Sequence, residues 1–304
     1  MSRVAAIDCG TNSIRLLVAD IGDQLDELDR RMQIIRLGEG VDETGVFSEA
    51  ALDRAFAACR DYQRIIEEFG VERIRFVATS ASRDAGNSAD FTGGVAEILG
   101  VTPEIVSGTE EAQLSFEGAT RGLEVEPPVL VFDIGGGSTE FIRGASHPES
   151  SISVNMGCVR FAERFVHHDP MTDVERAAID SAVSEMLDEV VQTVSFEGVQ
   201  TLIGLAGTVT TVTGIAMGLS EYDSQKIHRA VTSATSVRET TDALVAMTSA
   251  QRGDMGIMHP GRADVIAAGA LILEGIIARS GSNEVAASEH DILDGIAWSL
   301  AATR

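Results

Sequence analysis

The sequence predicts an α/β fold with two domains. Short apolar runs typical of buried strands alternate with longer segments whose apolar residues follow helical spacing, which is the pattern of α/β proteins. The chain has 304 residues, and one domain commonly takes about 150. In addition, one strand–turn–strand pattern occurs twice, near the start of each half of the chain. We therefore expect two domains that each open with the same hairpin.

The repeated pattern is a glycine turn between two apolar runs. The copies read V-A-A-I-D-C-G-T-N-S-I-R-L-L-V, from Val4, and L-V-F-D-I-G-G-G-S-T-E-F-I, from Leu130. An aspartate, a glycine and a serine recur 125 positions apart, as Asp8, Gly10 and Ser13 and as Asp133, Gly135 and Ser138. Glycine lets backbone N–H groups approach an anion, serine adds a hydroxyl donor, and aspartate offers an oxygen to a cation. One copy alone would equally fit an ordinary hairpin, but two copies predict that a phosphorylated substrate binds between two domains.

Capping residues and apolar spacing define the other elements of the first half. Ser48 is a suitable N-cap, and apolar residues at helical spacing follow it as far as Phe69. The predicted elements are a strand over 31–37, a helix over 49–69, a strand over 74–78, a polar loop over 79–87, a helix over 89–99 and a strand over 103–106. A boundary is predicted at 124–128, which contains two prolines, because prolines interrupt regular structure. Domain I then covers 1–124 and domain II covers 125–290, with the C-terminal helix over 291–304 expected to return to domain I.

The second half continues from its hairpin in the same way. Thr172 and Glu175 have the spacing of a capping box and predict a long helix to about Val194. The other predicted elements are a strand over 151–155, a short helix after Met156, a strand over 201–205, and helices over 208–217, 237–247, 262–279 and 292–301.

Composition excludes several classes of function. The formal net charge is −24 and Lys226 is the only lysine, so nonspecific binding to nucleic acid or to anionic membranes is not expected. A phosphate site in so acidic a chain has to be built locally, from arginine, backbone N–H groups or a metal ion. The three cysteines show no metal-ligand spacing, and no secretory leader precedes the first strand, so we expect a cytoplasmic protein.

Three further segments place polar groups directly after predicted strands. Arg83 ends A-T-S-A-S-R, Glu110 and Glu111 lie in S-G-T-E-E-A, and Gly207 and Thr208 lie in L-A-G-T-V-T-T. An arginine can bind phosphate bidentately, a carboxylate in a first helical turn stays ionised, and a glycine turn before a helix can hold an anion. Each segment also fits a simpler structural interpretation, as a surface arginine, a stabilised helix start and a tightly packed turn.

Together these segments resemble the exopolyphosphatase and guanosine pentaphosphate phosphatase (Ppx/GppA) family of the actin, sugar-kinase and Hsp70 superfamily. The resemblance runs nearly end to end and includes N-M-G-C-V-R-F and R-A-D-V-I-A-A-G in the family's order. S-G-T-E-E-A followed about twenty residues later by D-I-G-G-G-S-T-E is the diagnostic pair. The resemblance implies an actin-like (ribonuclease H-like) fold with an interdomain cleft.

The resemblance also implies the roles of individual residues. Glu111 corresponds to the family's catalytic glutamate, which activates the attacking water. The resemblance and the glycine turns together give one set of candidate phosphate-binding residues. They are Gly10, Thr11, Asn12, Ser13, Arg83, Gly135, Gly136, Gly137, Ser138, Gly207 and Thr208. Asp133, Glu140 and Asp8 are implied ligands of Mg²⁺ or Mn²⁺, which the family requires.

The expected activity is removal of terminal orthophosphate from inorganic polyphosphate by a homodimer. The chain stops before the C-terminal domain of longer relatives, so short polyphosphates are the expected substrates. It also has D-I-L-D-G from Asp291 where relatives typically read G-L-R-E-G, which leaves the contacts of this segment open. The alternatives are hydrolysis of guanosine pentaphosphate (pppGpp), an ATP-dependent kinase or actin-like ATPase, and a non-catalytic phosphate sensor.

Overall fold

The computed structural model describes residues 2–11, 13–121 and 125–302. The chain divides into two compact units, one of Met1–Gly118 with Asp291–Arg304 and one of Ala119–His290. Each unit contains one β-sheet with helices packed on it, which confirms the predicted α/β class. The candidate residue Asn12 and the predicted boundary residue Glu124 lie outside the described residues.

The strands and helices of the described residues are numbered here along the chain. The strands are β1 Ser2–Cys9, β2 Ser13–Ile21, β3 Leu25–Ile34, β4 Arg73–Ala78, β5 Glu104–Ile105, β6 Val129–Ile134, β7 Thr139–Gly144, β8 Pro148–Val154, β9 Thr201–Leu205, β10 Val231–Ser233 and β11 Glu284–Ala287. The helices are α1 Val41–Thr44, α2 Glu49–Phe69, α3 Ser80–Asp84, α4 Ser88–Leu99, α5 Gly108–Thr120, α6 Cys158–Phe165, α7 Asp173–Thr193, α8 Ala206–Ala216, α9 Ser224–Ile227, α10 Ala234–Ala246, α11 Ser249–Gly253, α12 Ile266–Ser280 and α13 Ile292–Ala302.

The sheet of the first unit has the order β3-β2-β1-β4-β5. The first three strands are antiparallel neighbours, while β4 joins β1 in parallel. Because successive side chains of a strand point to opposite faces, β1 and β2 contribute to two cores. One core packs the sheet on α2 and α4, and the other packs it on α13. Because β1 and β2 lie in the buried centre of this sheet, the turn that joins them is held at the ends of these two strands.

The sheet of the second unit has the order β10-β11-β9-β6-β7-β8. Its five strands β8, β7, β6, β9 and β11 repeat the arrangement of the first sheet, with β10 added at the edge. A large core joins this sheet to α7 and to α12, whose residues from Ile266 to Leu273 are buried. The two hairpins predicted from the repeated pattern, β1–β2 and β6–β7, thus occupy the same place in two sheets of the same design.

Several predicted elements are confirmed and others are corrected. Ser48 caps α2, Thr172 and Glu175 form a capping box on α7, and β9 has its predicted bounds. The strand predicted over 31–37 instead spans Leu25–Ile34. The predicted loop over 79–87 contains α3, a short helix. The helix predicted from residue 262 begins at Ile266, after a 3₁₀ turn over Pro260–Arg262.

No helix among the described residues combines the length and the apolar character that a membrane span requires.

Candidate active site

The two glycine turns have matching backbone geometry. The amide of Gly10 donates to the carbonyl of Ser13 at 3.0 Å, and the amide of Gly135 donates to the carbonyl of Ser138 at 3.0 Å. Each bond closes a turn between two antiparallel strands, β1 and β2 in one unit and β6 and β7 in the other. The duplicated sequence pattern therefore corresponds to a duplicated local structure.

In the first unit the aspartate before the turn is neutralised by an arginine. Asp8 is 5% exposed, and its Oδ2 accepts hydrogen bonds from Arg15 Nε at 3.0 Å and Nη2 at 2.7 Å. Burial raises the pKa of Asp8 above its usual range, and the Arg15 guanidinium opposes part of that rise. The carboxylate is consequently held in place by an ion pair within its own hairpin.

Arg15 also binds the segment D-I-L-D-G, which begins at Asp291. Its Nη1 donates to Asp291 Oδ2, and Asp291 Oδ1 in turn accepts from the amide of Leu293 at 2.9 Å, at the start of α13. Burial raises the pKa of Asp291, but Arg15 and Arg30 outweigh it and hold that pKa below its usual range. The contacts of this segment are therefore a charge network that joins the first hairpin to α13.

The catalytic candidate Glu111 lies in the first turn of α5 and is paired with Arg83. Arg83 Nη1 donates to Glu111 Oε2 at 2.8 Å and to the Val106 carbonyl at 2.8 Å. Both side chains remain partly accessible, with 30% of Arg83 and 27% of Glu111 exposed. The structure thus brings together Glu111, predicted to activate water, and Arg83, one of the residues predicted to bind phosphate.

Glu110, the neighbouring carboxylate, has a different environment. It accepts a hydrogen bond from Arg75 Nη2 at 2.7 Å and lines a cavity of about 370 Å³ on α5. The residues lining this cavity are Arg75, Ser107, Thr109, Glu110, Gln113, Leu114, Glu117 and Ser299. Glu111 is absent from this lining, so the cavity is separate from the predicted chemistry.

In the second unit the aspartate before the turn faces a second carboxylate. Asp133 and Glu140 are directly paired across β6 and β7, which places two acidic side chains next to each other. Glu140 Oε1 accepts hydrogen bonds from Ser138 Oγ at 2.7 Å and from Ser153 Oγ at 2.6 Å. Like charges in adjacent cross-strand positions are destabilising, unless a cation or a proton balances them.

Gly207, predicted to lie in a turn before a helix, and Thr208 both lie in the first turn of α8 itself, and Gly207 is covered by Arg262, which its sequence context does not reveal. Arg262 Nη1 donates to the Gly207 carbonyl at 3.3 Å and to Thr211 Oγ1 at 3.1 Å. A Cβ on Gly207 would lie 2.0 Å from Arg262 Cζ, so a larger residue would displace this guanidinium from its position. Thr208 is buried in the same helical turn. The start of α8 therefore has the positively charged side chain of Arg262 beside it.

The donor set fits a weakly held divalent cation. Within residues 2–11, 13–121 and 125–302, no three histidine, cysteine or acidic side chains form a group able to hold a metal ion. Mg²⁺ is usually bound by one or two carboxylates, several waters and the phosphates of a substrate. The adjacent carboxylates of Asp133 and Glu140 meet that requirement. Asp8 meets it less well, because Arg15 occupies its Oδ2.

Comparison with known proteins places the chain in a family. The profile of the Ppx/GppA phosphatase family matches residues 17–303. Exopolyphosphatase 2 of Mycobacterium tuberculosis is 43% identical over 316 aligned positions, which cover 99% of this chain and 99% of that protein. A crystal structure of an exopolyphosphatase-like protein is 40% identical and covers 98% of each chain, with a TM-score of 0.85. The Aquifex aeolicus family member is 30% identical and covers 100% of this chain and 99% of that one, with a TM-score of 0.89.

These similarities extend over nearly the whole chain and include both hairpins and α5. They confirm the resemblance inferred from S-G-T-E-E-A and D-I-G-G-G-S-T-E, and with it the actin-like class of the fold. The chain is a member of the Ppx/GppA phosphatase family.

Proposed function

We propose that this protein is an exopolyphosphatase that releases orthophosphate from the end of inorganic polyphosphate. The observation that carries the proposal is the Glu111–Arg83 pair at the start of α5. This pair combines a possible base with a phosphate-binding cation in a chain that is 43% identical to an exopolyphosphatase over its full length. We extend the proposal to a cytoplasmic homodimer that prefers short polyphosphates.

Glu111 would act as the general base. Its carboxylate would accept a proton from water as the water oxygen bonds to the terminal phosphorus and the bridging P–O bond breaks. The products are orthophosphate and a chain that is shorter by one phosphate. Hydrolysis of this kind depends on positioning and on charge stabilisation, so no nucleophilic side chain is required.

Arg83 would exchange partners when the substrate binds. Its Nη1 contacts the Val106 carbonyl and Glu111, and its partial exposure leaves the guanidinium accessible to phosphate. A planar guanidinium binds phosphate oxygens bidentately. Movement of Arg83 toward phosphate would free the Glu111 carboxylate to orient water, so binding and activation would be linked.

The turn from Gly135 to Ser138 would hold the terminal phosphate through backbone N–H groups and the Ser138 hydroxyl. Asp133 and Glu140 would hold Mg²⁺ or Mn²⁺, and Asp8 would contribute only through the oxygen that Arg15 leaves open. The ion would neutralise charge that develops on the phosphate oxygens. Gly10, Thr11, Ser13, Gly207 and Thr208 would contact phosphates further along the chain.

The test is phosphate release from tripolyphosphate, longer polyphosphates of defined length, pppGpp and ATP, each with and without Mg²⁺. We expect release from tripolyphosphate that depends on Mg²⁺ and exceeds release from the other substrates. A strong preference for pppGpp would change the proposed substrate but not the proposed hydrolysis reaction. Formation of ADP with a phosphorylated acceptor, or tight binding without turnover, would overturn the hydrolase assignment.

A further inference from the structure

In the second glycine turn, the carbonyl groups of Gly135, Gly136 and Gly137 all accept hydrogen bonds from the start of α6. The Gly135 carbonyl accepts from the amide of Cys158 at 3.0 Å, and the Gly136 carbonyl accepts from the amides of Val159 at 2.9 Å and Arg160 at 3.1 Å. The Gly137 carbonyl accepts from the side chain of Arg160, through Nε, at 2.8 Å. The first N–H groups of α6, which lack partners inside the helix, are thus satisfied by the turn.

Gly157 makes this close approach possible. A Cβ at this position would lie 2.3 Å from the Gly136 carbonyl oxygen and 2.5 Å from the Gly137 carbonyl carbon. These are backbone atoms of the turn itself, so a larger residue would push the turn away from α6. The motif N-M-G-C-V-R-F therefore builds a rigid support behind the turn.

Because α6 holds these three carbonyl groups, the N–H groups of the same peptides are fixed as well, on the opposite side of the turn. A trans peptide is planar, and its N–H points opposite to its C=O. The three bound carbonyls therefore direct the N–H groups of Gly136, Gly137 and Ser138 away from α6. Within the described residues no protein group accepts from these N–H groups, and Gly136 and Gly137 are exposed. Successive N–H groups with a common direction form an anion-binding nest.

The first hairpin has a smaller version of the same support. The amide of Gly38 donates to the Thr11 carbonyl at 2.8 Å, and a Cβ on Gly38 would lie 2.3 Å from Thr11 Cγ2. Gly38 and Gly157 both follow the third strand of their sheet and precede a helix. In the second hairpin the support includes a bond from the side chain of Arg160.

We propose that Arg160 is a positioning residue for the phosphate-binding turn. Its Nε hydrogen bond to the Gly137 carbonyl fixes the peptide between Gly137 and Ser138, and so aims the Ser138 N–H at the terminal phosphate. This role rests on the proposed function in one respect, since the phosphate is taken to be that of the substrate. The guanidinium charge of Arg160 is not required by this role.

Two substitutions separate the hydrogen bond from the charge. Arg160→Gln places an amide N–H donor at the same number of bonds from Cα as Nε and removes the charge. Arg160→Lys keeps the charge and places a methylene group there. Loss of one donor to a developing oxyanion costs about 10²–10³ in kcat, and a misaligned donor should cost less. We expect Arg160→Lys to lower kcat on tripolyphosphate by about tenfold, while Arg160→Gln stays within about twofold of the unmodified protein.

The opposite order, with Lys active and Gln impaired, would show that charge acts on the substrate and would overturn the proposal. Equal losses in both variants, or no loss in either, would also overturn it. Arg164→Lys is the matched control, because Arg164 is exposed on the same helix and its side chain lies over Phe165. We expect that variant to keep the full rate.

A second readout does not depend on catalysis. Addition of inorganic phosphate should shift the backbone amide resonances of Gly136, Gly137 and Ser138 in the unmodified protein and in Arg160→Gln. In Arg160→Lys the shift of Ser138 should be lost or strongly reduced. If the protein does not hydrolyse polyphosphate but these shifts follow the expected order, the proposed function fails and the positioning role stands. An unchanged Ser138 shift in Arg160→Lys would refute the positioning role alone.

Discussion

Arg15 and Glu140 occupy the same position in the two hairpins. Arg15 is paired across the strands with Asp8, and Glu140 is paired across the strands with Asp133. The aspartate before the turn therefore has a cation beside it in the first copy, Arg15, and another anion beside it in the second, Glu140. Two turns with matching backbones thus differ in charge, and the second is the one suited to a divalent cation.

This difference predicts how the enzyme responds to magnesium. Glu140→Gln should raise the Mg²⁺ concentration for half-maximal activity by about tenfold or more, the scale of lost ligand support in metal sites. The amide oxygen can still accept the hydrogen bonds of Ser138 and Ser153, so the fold should be kept. The measurement is phosphate release as a function of Mg²⁺, with Glu149→Gln, an exposed position on β8, as the control. An unchanged magnesium dependence would remove Glu140 from the metal site.

The Arg83–Glu111 pair predicts the effect of removing the base. Glu111→Gln should lower kcat by roughly 10²-fold or more, the usual scale for general-base catalysis. The amide oxygen can still accept from Arg83, so the melting temperature should change little. Glu110→Gln is a close control, because Glu110 is paired with Arg75 instead and should keep its rate. Full activity in Glu111→Gln would exclude this carboxylate from the mechanism.

Gly135 allows a test of the turn as a phosphate site. A Cβ at Gly135 would lie 3.2 Å from the Ser138 carbonyl oxygen, so Gly135→Val should distort the turn and weaken phosphate binding. We expect KM for tripolyphosphate to rise by about tenfold or more, corresponding to at least about 1.4 kcal/mol. The control is Gly93→Val on α4, where an added Cβ would meet nothing within 4 Å apart from its chain neighbours and the backbone of its own helix. An unchanged KM in Gly135→Val would indicate that this turn does not hold the substrate.

The capping box of α7 predicts a pH-dependent contribution to stability. The Thr172 amide donates to Glu175 Oε2 at 2.8 Å, the His168 ring lies 2.9 Å from Oε1, and the Glu175 side chain is 9% exposed. These hydrogen bonds, the Thr172 amide first, hold the pKa of Glu175 well below the ordinary value of 4.5. A lowered folded-state pKa stabilises the fold above the ordinary value, and the stabilisation is lost as the pH falls toward the lowered one.

The melting temperature of Glu175→Gln should therefore be lower than that of the unmodified protein at pH 7, and the gap should narrow at pH 3. Glu189→Gln on the exposed side of α7 should show no such gap at either pH. A gap of constant size between pH 7 and pH 3 would mean that ionisation of Glu175 does not stabilise the helix.

The fold was largely predictable where local chemistry and burial agree. Ser48, Thr172 and Glu175 set helix starts through their own side chains, and β9 has no polar side chain after Thr201. The strand β3 was misplaced because it lies at the edge of its sheet and is rich in charged residues, so burial leaves no clear pattern in its sequence. The strands β10 and β11 have three and four residues, too few for their periodicity to be recognised.

The site was predictable to the level of motifs, whereas its supporting contacts were not. Arg160 and Arg262 reach partners 23 and 55 residues away, and no sequence spacing reveals such contacts. Arg15 did have a signal, since it stands where the second copy has Glu140. The repeat aligns the two positions, but only the hydrogen bonds show that Arg15 also reaches α13.

The bond from Arg15 to Asp291 joins residues 276 positions apart, and this separation has a consequence for biosynthesis. A ribosome adds about 5–20 residues per second, so Arg15 is incorporated roughly 14 to 55 s before Asp291. During that interval Arg15 can pair with Asp8 but not with Asp291. A nascent or prematurely terminated polypeptide that lacks Asp291 would therefore lack the ion pair that joins the first hairpin to α13.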